Sequence, residues 1–204
     1  NKMKNNKQIL VTGGAGFVGT NLIKLLLKKT SYKIVSIDNY TSGTKLNHIR
    51  SPRVKYIKGN TANISKFVKN PNKIKTIFHF GEFARIYQSF LKMDQCIESN
   101  SIGTNAIFNF CLKHKVKLIY SATSASLGNK GNDRNLSPYA FTKAKNLELL
   151  ENLKKWFNFK YEVIYFYNVY GPHQICRGQM STVIGIFEDH YKRKEPLPVV
   201  LPGT

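Results

Sequence analysis

Short apolar runs alternate along this chain with stretches whose apolar residues recur three and four positions apart. The runs at Ile9-Leu10-Val11, Lys33–Ile37, Val54–Lys58, Thr76–Phe80, Val116–Ser121 and Tyr161–Phe166 predict six strands. Leu22, Ile23, Leu25 and Leu26 predict a helix after the first strand, and a short helix is expected around Ile64 to Val68. Helical periodicity continues from Met93 to His114 through Ile97, Ile102, Ile107, Phe108 and Cys111. A long helix is expected from Tyr139 to Phe157, with Leu147, Leu149, Leu150 and Leu153 on or near one face, and another near Met180 to Lys192. Alternation of this kind predicts an α/β domain, a doubly wound parallel sheet covered on both faces. The last strand ends near Phe166, so residues 1–167 are expected to form one domain. The 168–204 stretch then begins a second lobe too short to be complete. Its extended tail, Pro196 to Thr204, carries apolar residues that need a partner surface.

The junction between the first strand and helix adds chemistry to this pattern. It reads Val11-Thr12-Gly13-Gly14-Ala15-Gly16-Phe17-Val18-Gly19. The glycines at 13, 16 and 19 suit, in order, a tight turn, backbone approach to a diphosphate, and close packing of helix on strand. The helix N-terminus supplies free N–H groups and partial positive charge for an anion. Asp38 ends the second predicted strand, at the place where a carboxylate accepts hydrogen bonds from an adenosine ribose. No arginine stands beside it, and its charge would repel a 2′-phosphate, so the expected cofactor is NAD in a Rossmann fold. A plain turn begun by Asp38-Asn39 is the structural alternative.

Composition narrows the class further. The 204 residues carry 32 basic and 11 acidic side chains, a net charge of +21. Such a charge fits a nucleic-acid partner, but the lysines are scattered without a long basic run. A solvated lysine-rich surface is therefore the preferred reading, and nucleic acid is not an expected partner. Three cysteines without close pairs give neither a disulfide framework nor a zinc site, so no metal is expected and the natural compartment is the reducing cytoplasm. No apolar run reaches the roughly 18 residues of a membrane span, and no membrane partner is expected. Met3 is expected to be the native start, with Asn1 and Lys2 left from a tag.

A second constellation lies past the fifth strand. Tyr139 and Lys143 stand one helical turn apart at the start of the long helix. A free tyrosine, with a pKa of about 10, is a poor base at neutral pH. An adjacent ammonium favours tyrosinate, making the pair a plausible acid–base couple for a hydroxyl that loses hydride from the same carbon. The spacing alone arises easily by chance in a chain with this many lysines and tyrosines; its place opening that helix gives it weight. Just before it runs Tyr120-Ser121-Ala122-Thr123-Ser124-Ala125-Ser126-Leu127-Gly128, at the carboxyl end of a strand where open α/β sheets bind ligands. Thr123 could donate to a developing alkoxide there, or the segment could be an ordinary polar turn.

Taken together these residues resemble the extended short-chain dehydrogenases/reductases, the NAD-dependent nucleotide-sugar epimerase/dehydratase family. The resemblance runs from Ile9 to the last residue. It rests on the glycine loop, Asp38-Asn39, Gly59-Asn60, Phe78-His79-Phe80-Gly81, Asn100-Ser101-Ile102-Gly103-Thr104, Thr123, Tyr139 with Lys143, and Tyr167-Asn168-Val169-Tyr170-Gly171-Pro172. It implies Thr123, Tyr139 and Lys143 as the catalytic set, with Lys143 also holding the nicotinamide ribose. It implies an NAD site formed by Gly13, Gly16, Phe17, Val18, Gly19, Asp38, Asn39, Asn60, Thr61, Phe80, Gly81, Tyr139, Lys143 and Tyr167. Asn168, with Thr123 and Tyr139, would hold the sugar nucleotide, and the long helices would pair in a homodimer.

Departures sort the family's activities. Its 4,6-dehydratases carry Asp and Glu directly after the catalytic hydroxyl residue, and its decarboxylases keep the glutamate; here those places are Ser124 and Ala125. Without a carboxylate, elimination lacks its proton carrier, and a UDP-hexose 4-epimerase fits best. A dehydratase or decarboxylase of the same family is the alternative, as is an idle NAD-binding module with a basic surface for RNA or protein. Asn39-Tyr40-Thr41-Ser42-Gly43 resembles the turn of the UDP-hexose 4-epimerases. Asn60 replaces an aspartate facing adenine, Leu127 a tyrosine and Tyr165 an arginine. Glu82 replaces a small residue near the nicotinamide, where a substrate contact and a local salt bridge are both open. The family continues beyond a P-G-T sequence, whereas this chain ends at Gly203-Thr204. A shortened chain that binds NAD with weak or no turnover is the expectation.

Overall fold

A computed structural model describes residues 7–124 and 128–199. Met3, Ala125, Leu127 and the last five residues of the tail lie outside the described residues. Six strands form one parallel sheet: β1 (Gln8–Thr12), β2 (Lys33–Asp38), β3 (Val54–Lys58), β4 (Ile74–His79), β5 (Lys117–Thr123) and β6 (Tyr161–Phe166). Their order is β3-β2-β1-β4-β5-β6. The chain runs outward from β1 to β3, then crosses back to β4 on the other side of β1. The β1/β4 boundary is thus the topological switch point, beside which open α/β sheets of this order bind ligands at the strands' carboxyl ends.

Successive side chains on a strand face opposite ways, and β1 uses both faces. Ile9 and Val11 pack with Ile23 and Leu26 of α1 (Phe17–Lys29). Leu10 faces the larger core, where Ile77, Leu118 and Tyr120 meet Ile107 and Phe108 of α5 (Thr104–His114) and Leu150 of α6 (Pro138–Phe157). Leu147 and Leu149 are half-buried against the same core.

The stretch expected as one helix from Met93 to His114 is helical but interrupted. Between α4 (Met93–Ile97) and α5, residues Glu98–Gly103 widen into π-helical turns, which turn the Asn100 side chain into the core. The short helix expected around Ile64 to Val68 is present as the single turn α2 (Ile64–Phe67), and one short element escapes the periodicity reading, α3 (Ile86–Leu91). Six residues leave too few periods to read. The last helix, α7 (Val183–Arg193), starts three residues later than expected. Beyond it Leu197 lies half exposed near Ile184, Phe187 and Tyr191 of α7. Among the described residues no helix is long and apolar enough to cross a membrane.

Candidate functional site

The glycine loop has the geometry its spacing predicts. Gly13 adopts φ +71°, and a Cβ there would lie 2.8 Å from the Gly81 nitrogen, so the loops leaving β1 and β4 touch through backbone. A Cβ on Gly19 would lie 2.1 Å from the Gly13 carbonyl oxygen, so only glycine lets α1 start this close to the turn. Gly16 is the N-cap of α1, with neither a capping side chain nor an acidic residue in the first turn, and Phe17 and Val18 open the helix. The helix therefore begins with uncapped N–H donors beside a cradle that only glycines allow, which fits a diphosphate. Asp38, buried at the end of β2, accepts the Ala15 N–H at 2.9 Å and the Tyr40 N–H at 2.8 Å. Each oxygen keeps further acceptor capacity for hydroxyls, which fits a ribose. Asn39 Nδ2 donates to Asn60 Oδ1 at 3.0 Å, and Asn60 Nδ2 donates to Glu98 at 3.3 Å, a chain of side chains at the rim of the same loop. Thr61 is buried beneath it, tight against Gly103.

On the other side of the switch point, Thr123 ends β5 opposite Phe166 of β6 and is buried. Helix α6 begins at Pro138 because Ser137 caps it, accepting the Ala140 N–H at 3.0 Å, with Pro138 at the first helical position. That start presents Tyr139, half-buried, whose own N–H donates to Ser89 of α3 at 3.2 Å. Phe80 meets Phe166 edge to face at 5.5 Å. Tyr167 and Asn168 follow β6 and are exposed. The chain then returns over α1: Asn21 donates to the Pro172 carbonyl at 2.8 Å, and His173 bonds Lys24 at 2.6 Å and Asn47 at 3.0 Å.

Lys143 turns its ammonium into the protein. It is buried, and its ammonium pairs with Glu82, donates to the Ser121 carbonyl at 2.5 Å and reaches Ser121 Oγ at 3.3 Å. Glu82 is a local salt bridge, not an exposed substrate contact, with its side chain 1% exposed. Its other oxygen accepts Thr104 Oγ1 at 2.6 Å, the Tyr120 hydroxyl at 3.1 Å and Asn146 Nδ2 at 3.2 Å. Burial raises the Tyr120 hydroxyl pKa well above the ordinary tyrosine range, which keeps it a donor.

No local pattern joins the members of this network, because they are spread from Thr12 to Asn146. Thr12 Oγ1 accepts the N–H groups of Phe80 and Gly81 at 3.1 and 2.9 Å and bonds His79 Nδ1 at 2.7 Å. His79 Nε2 lies 2.8 Å from Thr104 Oγ1. Thr104 has one proton and donates it to Glu82, so His79 donates through Nε2 and accepts the Thr12 proton at Nδ1. Burial holds this histidine neutral, lowering its pKa to about 4 against the opposing pull of Glu82. Asn100 accepts the Phe83 N–H at 2.6 Å and donates to the Phe83 carbonyl at 3.1 Å, fixing the loop that carries Glu82. The signals available were a histidine inside an apolar strand and a glutamate at position 82.

A model of the NAD-dependent epimerase/dehydratase family matches residues 9–204. An ADP-L-glycero-D-manno-heptose-6-epimerase of Brachyspira hyodysenteriae is 31% identical over 191 residues, covering 86% of this chain and 58% of that protein. The UDP-glucose 4-epimerase of Thermotoga maritima, solved with UDP-glucose, superposes with a TM-score of 0.85 at 25% identity, covering 96% of this chain and 66% of that one. The Bordetella bronchiseptica enzyme WbmF, solved with NAD+, gives 0.84 at 26% identity, covering 96% and 62%. The chain thus spans less than two thirds of each of these three relatives.

Proposed function

The chain belongs to the NAD-dependent epimerase/dehydratase family, and from that premise we propose that it binds NAD and serves the C4 epimerisation of a UDP-sugar. The observation that supports this reading is that α6, which carries Tyr139 and Lys143 in its first turns, reaches the carboxyl end of β5, where Thr123 stands, through the Lys143–Ser121 hydrogen bond. Gly13, Gly16, Gly19, Phe17 and Val18 would hold the diphosphate, and Asp38 the adenosine ribose. Asn39, Asn60 and Thr61 would line the adenine end, with Phe80, Gly81 and Tyr167 toward the nicotinamide. When bound, NAD supplies a reversible hydride acceptor. Tyr139 would take the proton of the sugar C4 hydroxyl and return it, and Thr123 would hold the C4 oxygen. Asn168 would anchor the nucleotide, in a substrate lobe beginning at residue 168. Ser124, where elimination needs a carboxylate, supports epimerisation over dehydration. The similarity to a solved UDP-glucose 4-epimerase supports the sugar nucleotide. Exposed Ile97, Ile102 and Phe141 on the helical segments 93–114 and 138–157 support a homodimer, and three free thiols support a reducing cytoplasm.

Calorimetric titration with NAD, followed by NMR of UDP-glucose and UDP-N-acetylglucosamine incubated with the loaded protein, tests the reading. We expect NAD to bind, and Tyr139→Phe to bind it equally well while abolishing any turnover. Turnover retained in Tyr139→Phe would remove that residue from the mechanism. An NAD-binding module without turnover is the second reading, favoured by one observation: every donor of Lys143 is engaged inside the protein.

A further inference from the structure

We propose that Glu82 is a positioning residue that holds the Lys143 ammonium away from the cofactor face, so that Lys143 reaches a bound nicotinamide ribose only when the Glu82–Lys143 pair opens. The proposal rests on the NAD-binding reading above and deepens it. A lysine ammonium has three N–H donors. Here all three have acceptors within the protein: Glu82 Oε2, the Ser121 carbonyl and Ser121 Oγ. None remains for a ribose hydroxyl.

The carboxylate cannot follow the lysine outward. Its second oxygen is held by Thr104 from α5, Tyr120 from β5 and Asn146 from α6. The loop that carries it is clamped at Phe83 by both ends of the Asn100 amide. Opening therefore means that Lys143 leaves and Glu82 stays, still bound by three neutral donors. The lysine side chain is 5% exposed and the glutamate 1%, so the pair sits in a low-dielectric setting where their attraction is weakly screened. A small residue at position 82 would leave Lys143 without this partner. Glu82 thus sets the fraction of the protein in which Lys143 is available, and apparent NAD affinity falls by that fraction.

Calorimetry with NAD on the native protein, Glu82→Gln, Lys143→Met and the double variant tests this. We expect Glu82→Gln to bind NAD at least about tenfold more tightly, as one freed charged donor would allow. The gain should vanish in the double variant. Glu82 acting only as a structural brace would give equal or weaker binding in Glu82→Gln, and that result overturns the proposal, as does a gain that survives in the double variant. If Glu82→Gln does not fold, NMR of the native protein decides. Adding NAD should shift the Lys143 ammonium and Glu82 carboxylate signals together; NAD binding that leaves both unchanged overturns it. Failure of all the proteins to bind NAD would instead overturn the cofactor reading itself, and this proposal with it.

Discussion

His79 shows how much one side chain can decide. It stands in a run, Thr76-Ile77-Phe78-His79-Phe80, that reads as strand, and it is fully buried. Its imidazole connects the hydroxyl of Thr12, at the root of the glycine loop, to the Thr104–Glu82–Lys143 cluster. A fold that holds a histidine at about 4 rather than 6.5 disfavours its protonation. The unfolded chain binds a proton here between those values and the native one does not. Stability contributed by neutral His79 is therefore complete above about pH 6.5 and is lost as the pH falls toward 4, by roughly 3 kcal/mol. Urea unfolding between pH 7.5 and 4.5 should show that slope, and His79→Asn should flatten it. A native protein equally stable at both ends would contradict the assignment.

At the scale of elements, the start of α6 matters most, because Tyr139 is its second residue. Ser137 supplies the cap, Pro138 fixes the first helical φ, and the Asn158 cap at the far end takes φ +52°. Ser137→Ala should lower unfolding free energy by about 1 kcal/mol, measured by denaturant titration, and fray the turn that carries Tyr139. No loss of stability would mean that the Ser137 hydroxyl is replaced by water. Helix α1 ends differently. Arg53, from the segment before β3, donates to the carbonyls of Leu27 and Thr30, each at 2.6 Å. A residue more than twenty positions away in sequence closes that helix, which no local reading could supply. The π-helical turns between α4 and α5 belong to the same class. They bring in Asn100, whose carbonyl accepts Asn146 Nδ2 at 2.7 Å, so two helices are joined through one polar residue.

For the whole molecule, the net charge of +21 is the dominant global quantity. Its lysines are scattered along the chain rather than gathered into one basic run, and self-repulsion then works against the compact state. Screening should relieve it. The thermal midpoint should rise as salt increases from about 0.01 to 0.15 M, over which the Debye length falls from about 30 to 8 Å. A midpoint that is flat or falls over that range would mean that favourable ion pairs, such as Lys145–Glu148 and Arg193–Asp189, offset the repulsion.

Strand and helix alternation, the glycine spacing, Asp38 at a strand end and the Tyr139–Lys143 spacing were all legible because each is a short-range pattern. Periodicity and loop chemistry act within about 20 residues, and the six strands and the glycine loop followed from them. Strand order, and with it the β1/β4 switch point, depends on which strands pair, and that is set by long-range packing. The identity of Lys143's partner depends on it too. Glu82 stands 61 positions away, and only the burial of both side chains beside β5 makes the ion pair. Sequence alone determined that this chain carries a dinucleotide loop and a tyrosine–lysine helix start. Tertiary structure decided where the lysine's charge is spent, because a buried charge takes whatever partner the fold brings within reach.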